Sequence, residues 1–187
     1  MVVQYEVELR SRLESTKFQE LKSWLDEQAD FLGESRMKSY LFREPTFLRI
    51  RLIKGKKAAI ITEKTGSYAQ VGRREEEFEI PRKNLPDFVK EKEKQGYTRC
   101  SLAQTVRFSY RLNGLKVELN KNNLGLIVEI EALTQDEKEV PLLKEKISSC
   151  MKKLNLKELT PAEYQKLMDD LYAKTLKPVA RYRFAAG

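Results

Sequence analysis

Apolar and charged residues alternate strictly along much of this chain. The pattern is clearest in Tyr5-Glu6-Val7-Glu8-Leu9-Arg10, and it returns at 47–54, 73–80, 104–112, 115–120 and 126–131. A period of two is typical of a β-strand with one apolar face. Two less regular segments, 35–43 and 57–64, also fit strands. The sequence therefore predicts about eight β-strands, mostly antiparallel.

Four other segments have apolar residues at helical spacing. The first starts at the N-cap candidates Ser15-Thr16 and runs to about residue 29. Its apolar stripe includes Trp24 and either Phe31 or Leu32, and Gly33 ends it. The other helices are expected at about 84–95, at about 136–154, and from 160 onward.

Turn and cap residues mark the connections between these elements. Asn113-Gly114 is typical of a type I′ hairpin, because that turn needs positive φ at both central positions. Thr160-Pro161-Ala162-Glu163 forms a capping box with proline at the first helical position. Residues 66–72 are expected to form a loop. We expect one domain over residues 1–173, followed by a basic, loose tail over residues 174–187.

Composition narrows the class of protein. The 187 residues are 41% hydrophobic and 34% charged, which is typical of a soluble, charge-rich globular chain. No apolar run approaches the roughly 20 residues that a membrane-spanning helix needs, and no signal peptide is visible. Cys100 and Cys150 fit reduced thiols. We therefore expect a cytoplasmic protein without membrane association.

The chain has no histidine and a net charge of +8. The absence of histidine excludes Ser-His-Asp and Cys-His catalysis and histidine-based zinc sites. An enzyme with this composition must use carboxylates, Lys, Arg, Tyr or a bound metal. The positive charge favours an anionic partner, which could be a nucleic acid, a membrane surface or a phosphorylated small molecule.

The polar faces of the predicted strands carry mainly charged residues of both signs. They are Glu6, Glu8, Arg10, Arg12, Arg49, Arg51, Lys64, Arg73, Glu75, Glu77, Glu79, Arg107, Arg111, Lys116, Glu118, Glu129 and Glu131. One such face alone is typical of a solvated strand surface. The whole set, together with the apolar faces on which helices can pack, predicts an α+β fold in which the charged faces turn inward. It is an eight-stranded antiparallel closed β-barrel, or tunnel, with the helices packed outside.

Closure would turn the charged faces into a wet lumen. Because burying so many charges costs several kcal/mol per ion, the lumen needs an occupant. Divalent cations would compensate the carboxylates, and a polyanion would compensate the arginine and lysine side chains. The pattern thus indicates a metal–polyphosphate ligand.

These strands resemble, in order, the CYTH domain of the triphosphate tunnel metalloenzymes. Glu6-Val7-Glu8-Leu9-Arg10 is similar to the N-terminal ExExK strand, with Arg10 in place of the usual lysine, and Arg49-Ile50-Arg51 is similar to the R-x-R strand. The other matching features are Lys64, Glu77-Phe78-Glu79-Ile80-Pro81, Arg107, the hairpin 110–120, and Leu124-Gly125 leading into Val128-Glu129-Ile130-Glu131. The resemblance covers roughly residues 3–173.

The resemblance implies a metal-dependent triphosphate hydrolase, acting on tripolyphosphate, thiamine triphosphate or a nucleoside triphosphate. It implies Mg²⁺ or Mn²⁺ held by Glu6, Glu8, Glu77, Glu79, Glu118, Glu129 and Glu131. It implies catalytic roles for Glu6, Glu8, Arg10, Arg49, Arg51 and Lys64. It implies substrate contacts from Arg10, Arg49, Arg51, Lys64, Arg73 and Arg107.

Three positions depart from the family's pattern. Arg10 changes a point charge into a planar fork of donors. Thr105 stands where many members carry a lysine, so that a phosphate contact is missing. Asn120 stands where an aspartate is typical, which leaves less negative charge for a second metal.

Two other functions stay open at this stage. One is a class IV adenylate cyclase, which would use the same site to convert ATP into cyclic AMP and pyrophosphate. The other is a non-catalytic binder of polyphosphate or nucleic acid. Nucleic acid is disfavoured because the carboxylates would repel a phosphate backbone and exposed aromatics do not interleave with the basic residues. We expect a monomer or a homodimer.

Overall fold

The computed structural model describes residues 4–64, 73–182 and 184. The strands are β1 Gln4–Leu13, β2 Asp30–Phe42, β3 Phe47–Ile53, β4 Ala58–Lys64, β5 Arg73–Pro81, β6 Arg99–Leu112, β7 Leu115–Asn122, β8 Gly125–Thr134 and the short β9 Lys177–Pro178. The helices are α1 Ser15–Gln28, α2 Leu85–Lys94, α3 Val140–Lys153 and α4 Pro161–Thr175. Single 3-10 turns occur at Arg82–Asn84, Glu137–Glu139 and Val179–Arg181. The predicted loop at 66–72 lies outside the described residues.

The strands form one antiparallel sheet in the order β2-β3-β4-β5-β1-β8-β7-β6, with β9 added at β6. The sheet curls strongly, so that β2 also pairs with β6. Between the described parts of β1 and β5, however, only three residue pairs connect the strands. The architecture is therefore a strongly curled half-barrel of eight strands. The alternation predicts a fully closed barrel, which the described residues do not show.

The convex face of the half-barrel is apolar. Val7 and Leu9 of β1 and Val128 and Ile130 of β8 are buried there in a core shared with α1 and α3. A second core lies beneath α2 and includes Phe42, Ile50 and Val89. Strict alternation thus sends every second side chain of these strands into the helical layer and leaves the charged ones on the concave face.

Helix α4 does not pack outside the sheet as expected. Its Met168 and Leu171 form a third core with Leu41 of β2 and Ala103 of β6. Leu41 and Ala103 lie on the concave side of the sheet, in register with Arg49 and Ser39 respectively. Because these concave positions are apolar, α4 can cover one end of the concave face, and the expectation that all helices lie outside is wrong for this element.

The end of the first helix also differs from the prediction. Helix α1 begins at Ser15, with Glu14 as its N-cap, and ends at Gln28, so that Phe31 and Leu32 belong to β2. Gly33 does not end the helix but lies in β2 at φ 131°, where the pairing with β6 shifts register. A glycine suits this bulge because L side chains avoid that conformation. Trp24 is 42% exposed rather than part of the apolar stripe.

The described part of the C-terminal segment packs on the second core, which differs from the expected loose tail. β9 pairs with β6 at Arg99 and Cys100, and Val179 is buried. The rings of Tyr182 and Phe184 lie 5.3 Å and 4.5 Å from the ring of Tyr40, measured between centroids. Sequence patterning missed this segment because its contacts are few, aromatic and non-periodic.

The turn predicted at Asn113-Gly114 and the capping box predicted at Thr160-Pro161-Ala162-Glu163 are confirmed. Asn113 and Gly114 have φ of 51° and 75°, as a type I′ hairpin requires. The Thr160 hydroxyl accepts from the Glu163 amide at 3.2 Å, and the Glu163 carboxylate accepts from the Thr160 amide at 2.7 Å.

Among the described helices, none has the length and hydrophobicity that crossing a bilayer would require.

The packing of the C-terminal segment predicts a measurable loss of stability. Replacing Val179 by Ala removes two buried methyl groups from the second core and should lower the free energy of unfolding by about 1–3 kcal/mol. Lys177→Ala, at an exposed neighbour, should change it by less than about 0.5 kcal/mol. Urea denaturation of both variants measures this difference. Equal stabilities would show that the segment does not contribute to the core.

Candidate functional site on the concave face

Strand register brings the predicted carboxylates and cations together. β1 and β8 pair Glu8 with Glu131 and Arg10 with Glu129. On the other side of β8, β7 places Lys116 beside Glu131 and Glu118 beside Glu129. Residues directly opposite across antiparallel strands project from the same face with Cβ atoms about 5 Å apart. The motif residues of three strands, distant in sequence, therefore form one charged surface.

β3, β4 and β6 supply the opposite wall. Arg49 lies in register with Thr62 of β4, and its Nη2 donates to the Thr62 hydroxyl at 3.3 Å. Thr62 in turn donates to the Glu77 carboxylate at 3.1 Å. Arg51 and Arg107 project into the same space, a cavity of about 190 Å³. Its lining comprises Glu6, Glu8, Arg10, Arg49, Arg51, Glu77, Arg107, Lys116, Glu129, Glu131, Leu133 and Tyr164.

A smaller section of about 100 Å³ continues from this cavity toward α4. It shares Arg10, Arg49, Arg51 and Arg107 with the first section, and then becomes apolar at Met168 and Leu171. Lys64 and Thr105 also line it. Helix α4 therefore ends the charged cavity on one side, and Thr105 lies at that end.

Three carboxylates form a cluster at one pole of the cavity. One oxygen from each of Glu6, Glu8 and Glu131 lies within 4.8 Å of the others. Lys64 contacts Glu6 and lies 4.0 Å from Glu8. Lys116 lies 2.8 Å from Glu131 but is also 2.6 Å from Glu118, so one ammonium serves two carboxylates.

The electrostatics of this cluster are unfavourable for three negative charges. Burial, together with the neighbouring Glu118, raises the pKa of Glu131 to about 7. Burial also raises the pKa of Glu8, although Arg10 contacts that carboxylate and opposes the effect. Hard divalent cations prefer such groups of carboxylate oxygens. The donor set of Glu6, Glu8 and Glu131 therefore fits a divalent cation.

Glu129 has the opposite environment. It accepts from Arg10 Nε at 2.9 Å, from Arg107 Nη2 at 3.2 Å and from Asn120 Nδ2 at 2.9 Å. Burial alone would raise the pKa of Glu129, but Arg10 and Arg107 outweigh burial and lower it to about 2. Glu118 is similarly held, 2.5 Å from Arg107 Nη1. Both carboxylates are thus engaged by protein cations.

The second pole of the cavity is formed by guanidinium groups. Burial, reinforced by Arg49 and Arg107, lowers the pKa of Arg51 to about 10. Within the described part of the chain, no carboxylate oxygen lies at ion-pair distance from Arg51. A buried guanidinium with like-charged neighbours is costly unless an anion joins it. This pole is suited to binding an anion.

Not all of the predicted site residues enter the cavity. Glu77 lines its rim, while Glu79 lies on the same face of β5 but is exposed and outside both sections. Arg73 belongs to β5 by its backbone, opposite Glu6, and its side chain is outside the described part. Of the seven candidate metal ligands, the described residues bring Glu6, Glu8 and Glu131 together in one group of three carboxylates.

Tyr164 is a residue of the cavity wall that the strand motifs do not predict. Tyr164 of α4 lines both sections, and its ring centroid lies 4.1 Å from the Arg10 guanidinium carbon. The helical spacing of the apolar residues in α4 places Tyr164 on the inward face of that helix. No sequence signal could show that the inward face of α4 lies against the concave face of the sheet, because that depends on where α4 packs.

Comparison with known proteins agrees with this fold. The CYTH domain family matches residues 4–163. No protein with a curated description matches the chain. A conserved hypothetical protein from Pyrococcus furiosus has a solved structure that is 26% identical, covering 87% of this chain and 99% of its own, with a TM-score of 0.70.

Two more distant solved structures share the fold. A putative adenylate cyclase from Vibrio parahaemolyticus is 18% identical, covers 89% of this chain and 98% of its own, and has a TM-score of 0.67. A Hippeastrum protein described as a putative adenylyl cyclase with a dominant triphosphatase activity is 19% identical. That match covers 83% of this chain and 89% of the Hippeastrum chain, with a TM-score of 0.57.

The environment of Glu131 predicts a pH-dependent stability. Its folded pKa of about 7 lies above the ordinary value of about 4.5, so the folded state favours the protonated form. That contribution is complete below about pH 4.5 and is lost as the pH rises through about 7. Glu131→Gln stays neutral throughout. Without divalent cations, the stability of the wild type relative to Glu131→Gln should therefore fall across this range.

Urea denaturation in a chelating buffer at several pH values measures that difference. Glu145→Gln, which changes an exposed carboxylate on α3, is the matched control and should give a difference that is flat with pH. A flat difference for Glu131→Gln as well would contradict the assigned electrostatics.

Proposed function

Because the chain belongs to the CYTH domain family, we propose that its concave face binds a triphosphate together with a divalent cation and hydrolyses it. The observation that carries this proposal is the separation of charge within one cavity. Arg51, beside Arg49 and without a carboxylate at ion-pair distance in the described chain, marks a cationic pole, and Glu6, Glu8 and Glu131 form an acidic pole. A polyphosphate accompanied by a metal ion matches both poles at once.

The cationic pole would bind the phosphate chain. Arginine presents a planar fork of donors that matches phosphate oxygens, and charge-assisted hydrogen bonds of this kind are strong. Arg10 and Arg107 line the cavity and are already oriented by Glu129, which lowers the entropic cost of presenting them to a phosphate. Arg51, which lacks an anionic partner among the described residues, gains the most from a bound phosphate.

The same guanidinium groups would stabilise the reaction. In phosphoryl transfer the negative charge is spread over the equatorial and leaving oxygens, and catalysis depends mainly on positioning and electrostatic stabilisation. Lys64 and Lys116 keep the acidic pole from repelling the substrate, since each lies against its carboxylates. We propose Mg²⁺ or Mn²⁺ as the cation held by Glu6, Glu8 and Glu131, where it would supply Lewis-acid polarisation of a phosphoryl oxygen.

The size and lining of the cavity favour hydrolysis over cyclisation. The two sections measure about 190 and 100 Å³, which suits a phosphate chain. In the charged section, Tyr164 is the sole aromatic side chain among the described lining residues, and the Arg10 guanidinium lies over its ring. An adenine base would therefore find little stacking surface there. The triphosphatase activity described for the Hippeastrum protein also supports hydrolysis.

Product analysis tests the reaction type. The protein is incubated separately with tripolyphosphate, thiamine triphosphate and ATP, each with Mg²⁺ or Mn²⁺. We expect release of orthophosphate from at least one of them, dependent on the metal. Cyclic AMP with pyrophosphate from ATP would instead identify a cyclase, and no turnover of any of the three would contradict an enzymatic role.

Replacing Arg51 tests the cationic pole. Arg51→Ala should lower kcat/KM by roughly 10²–10³-fold, the cost of removing one preorganised charge-stabilising group. The melting temperature of the variant should be unchanged or higher, since an unfavourably buried charge has been removed. Arg36→Ala, an exposed arginine on the convex side of β2, is the matched control and should retain activity. Full activity in Arg51→Ala would refute the role assigned to Arg51.

A further inference from the structure

Asn120 occupies the centre of the charged network although it carries no charge. It lies on β7 at 2% exposure, opposite Arg107 of β6 and Ile127 of β8. Its Oδ1 accepts from Arg107 Nε at 2.8 Å, and its Nδ2 donates to Glu129 Oε2 at 2.9 Å. The amide thus connects a cation and an anion that also contact each other at 3.2 Å.

The two bonds together require a side chain that both accepts and donates, as an amide does. A carboxylate at position 120 could accept from Arg107 but could not donate to Glu129, because an ionised carboxylate has no proton to give. It would instead place a second negative charge about 3 Å from Glu129, which is strongly unfavourable without a proton or a cation between the two groups. Asn120 therefore determines the charge state of this part of the cavity.

The consequence concerns Glu129. Its Oε1 accepts from Arg10, and its Oε2 accepts from both Arg107 and Asn120. These three bonds point the carboxylate toward protein donors. Among the described residues, the group of three carboxylates whose oxygens lie within 4.8 Å of one another is Glu6, Glu8 and Glu131, and Glu129 does not belong to it.

We propose that Asn120 is a positioning residue that holds Glu129 within the arginine network and thereby limits this chain to one divalent-cation site. The inference deepens the proposed function and rests on it for the existence of the Glu6, Glu8 and Glu131 site. Asn120 acts through Glu129 and Arg107 and makes no contact with the metal. The substitution Asn120→Asp would set a second carboxylate directly beside that of Glu129, and a second cation would join the two groups.

The number of bound Mn²⁺ ions tests the proposal without any substrate. Free Mn²⁺ is followed by electron paramagnetic resonance while the metal is titrated into wild type, Asn120→Asp and Asn123→Asp. Asn123 lies in the turn after β7, so its substitution adds the same charge away from the cavity. We expect one ion per chain for wild type and Asn123→Asp, and two for Asn120→Asp.

Glu129→Gln provides a second test that does not depend on the folding of Asn120→Asp. Because Glu129 is not a ligand in this account, the variant should bind one Mn²⁺ with an affinity within about threefold of wild type. Two ions or none in wild type, one ion in a folded Asn120→Asp, or a tenfold loss of affinity in Glu129→Gln would each overturn the proposal. One ion in wild type without turnover of any triphosphate would refute the proposed function and leave the role of Asn120 standing.

Discussion

The compensation of charge across the concave face is the interaction on which the rest of this structure depends. Carboxylates and cations from β1, β4, β6, β7 and β8 contact one another there, as Lys64 does with Glu6 and Lys116 with Glu131. Removing so many charges from water costs several kcal/mol per ion, and each close pair recovers part of that cost. The sheet can therefore curl with its charged side inward only because both signs are interleaved strand by strand.

This compensation is incomplete at two places, and the two places define the site. Arg51 lies among other guanidinium groups, and its pKa falls through burial and their repulsion. Glu131 lies buried among carboxylates, and its pKa rises. The folded protein holds an excess of positive charge and an excess of negative charge within one cavity, and both are unfavourable. A ligand of matching charge can offset that cost in free energy when it binds. Helix α4 closes one end of the space and brings Tyr164 against Arg10.

Much of the fold and of the candidate site could be predicted from the sequence, because alternation shows directly which face of a strand is buried. The strands and most of the site residues, including Glu6, Glu8, Arg49, Arg51 and Glu131, are where the pattern placed them. What could not be read depends on tertiary packing. The position of α4 on the concave face, the exposed Trp24 and the packed segment around Val179 and Phe184 follow from contacts with no local periodicity. Likewise, the clustering of Glu6, Glu8 and Glu131 and the pairing of Glu118 and Glu129 with Arg107 follow from cross-strand register, which short motifs do not encode.

We expect the guanidinium pole around Arg51 to bind the phosphate chain, independently of any chemistry that follows. Calorimetric titration of tripolyphosphate into the protein in a chelating buffer, where the proposed metal-dependent turnover would not occur, measures this most directly. The account predicts binding of one tripolyphosphate per chain, with an affinity that falls as salt rises and that drops at least tenfold in Arg51→Ala. Equal affinity in wild type and Arg51→Ala, or no binding by either, would contradict it.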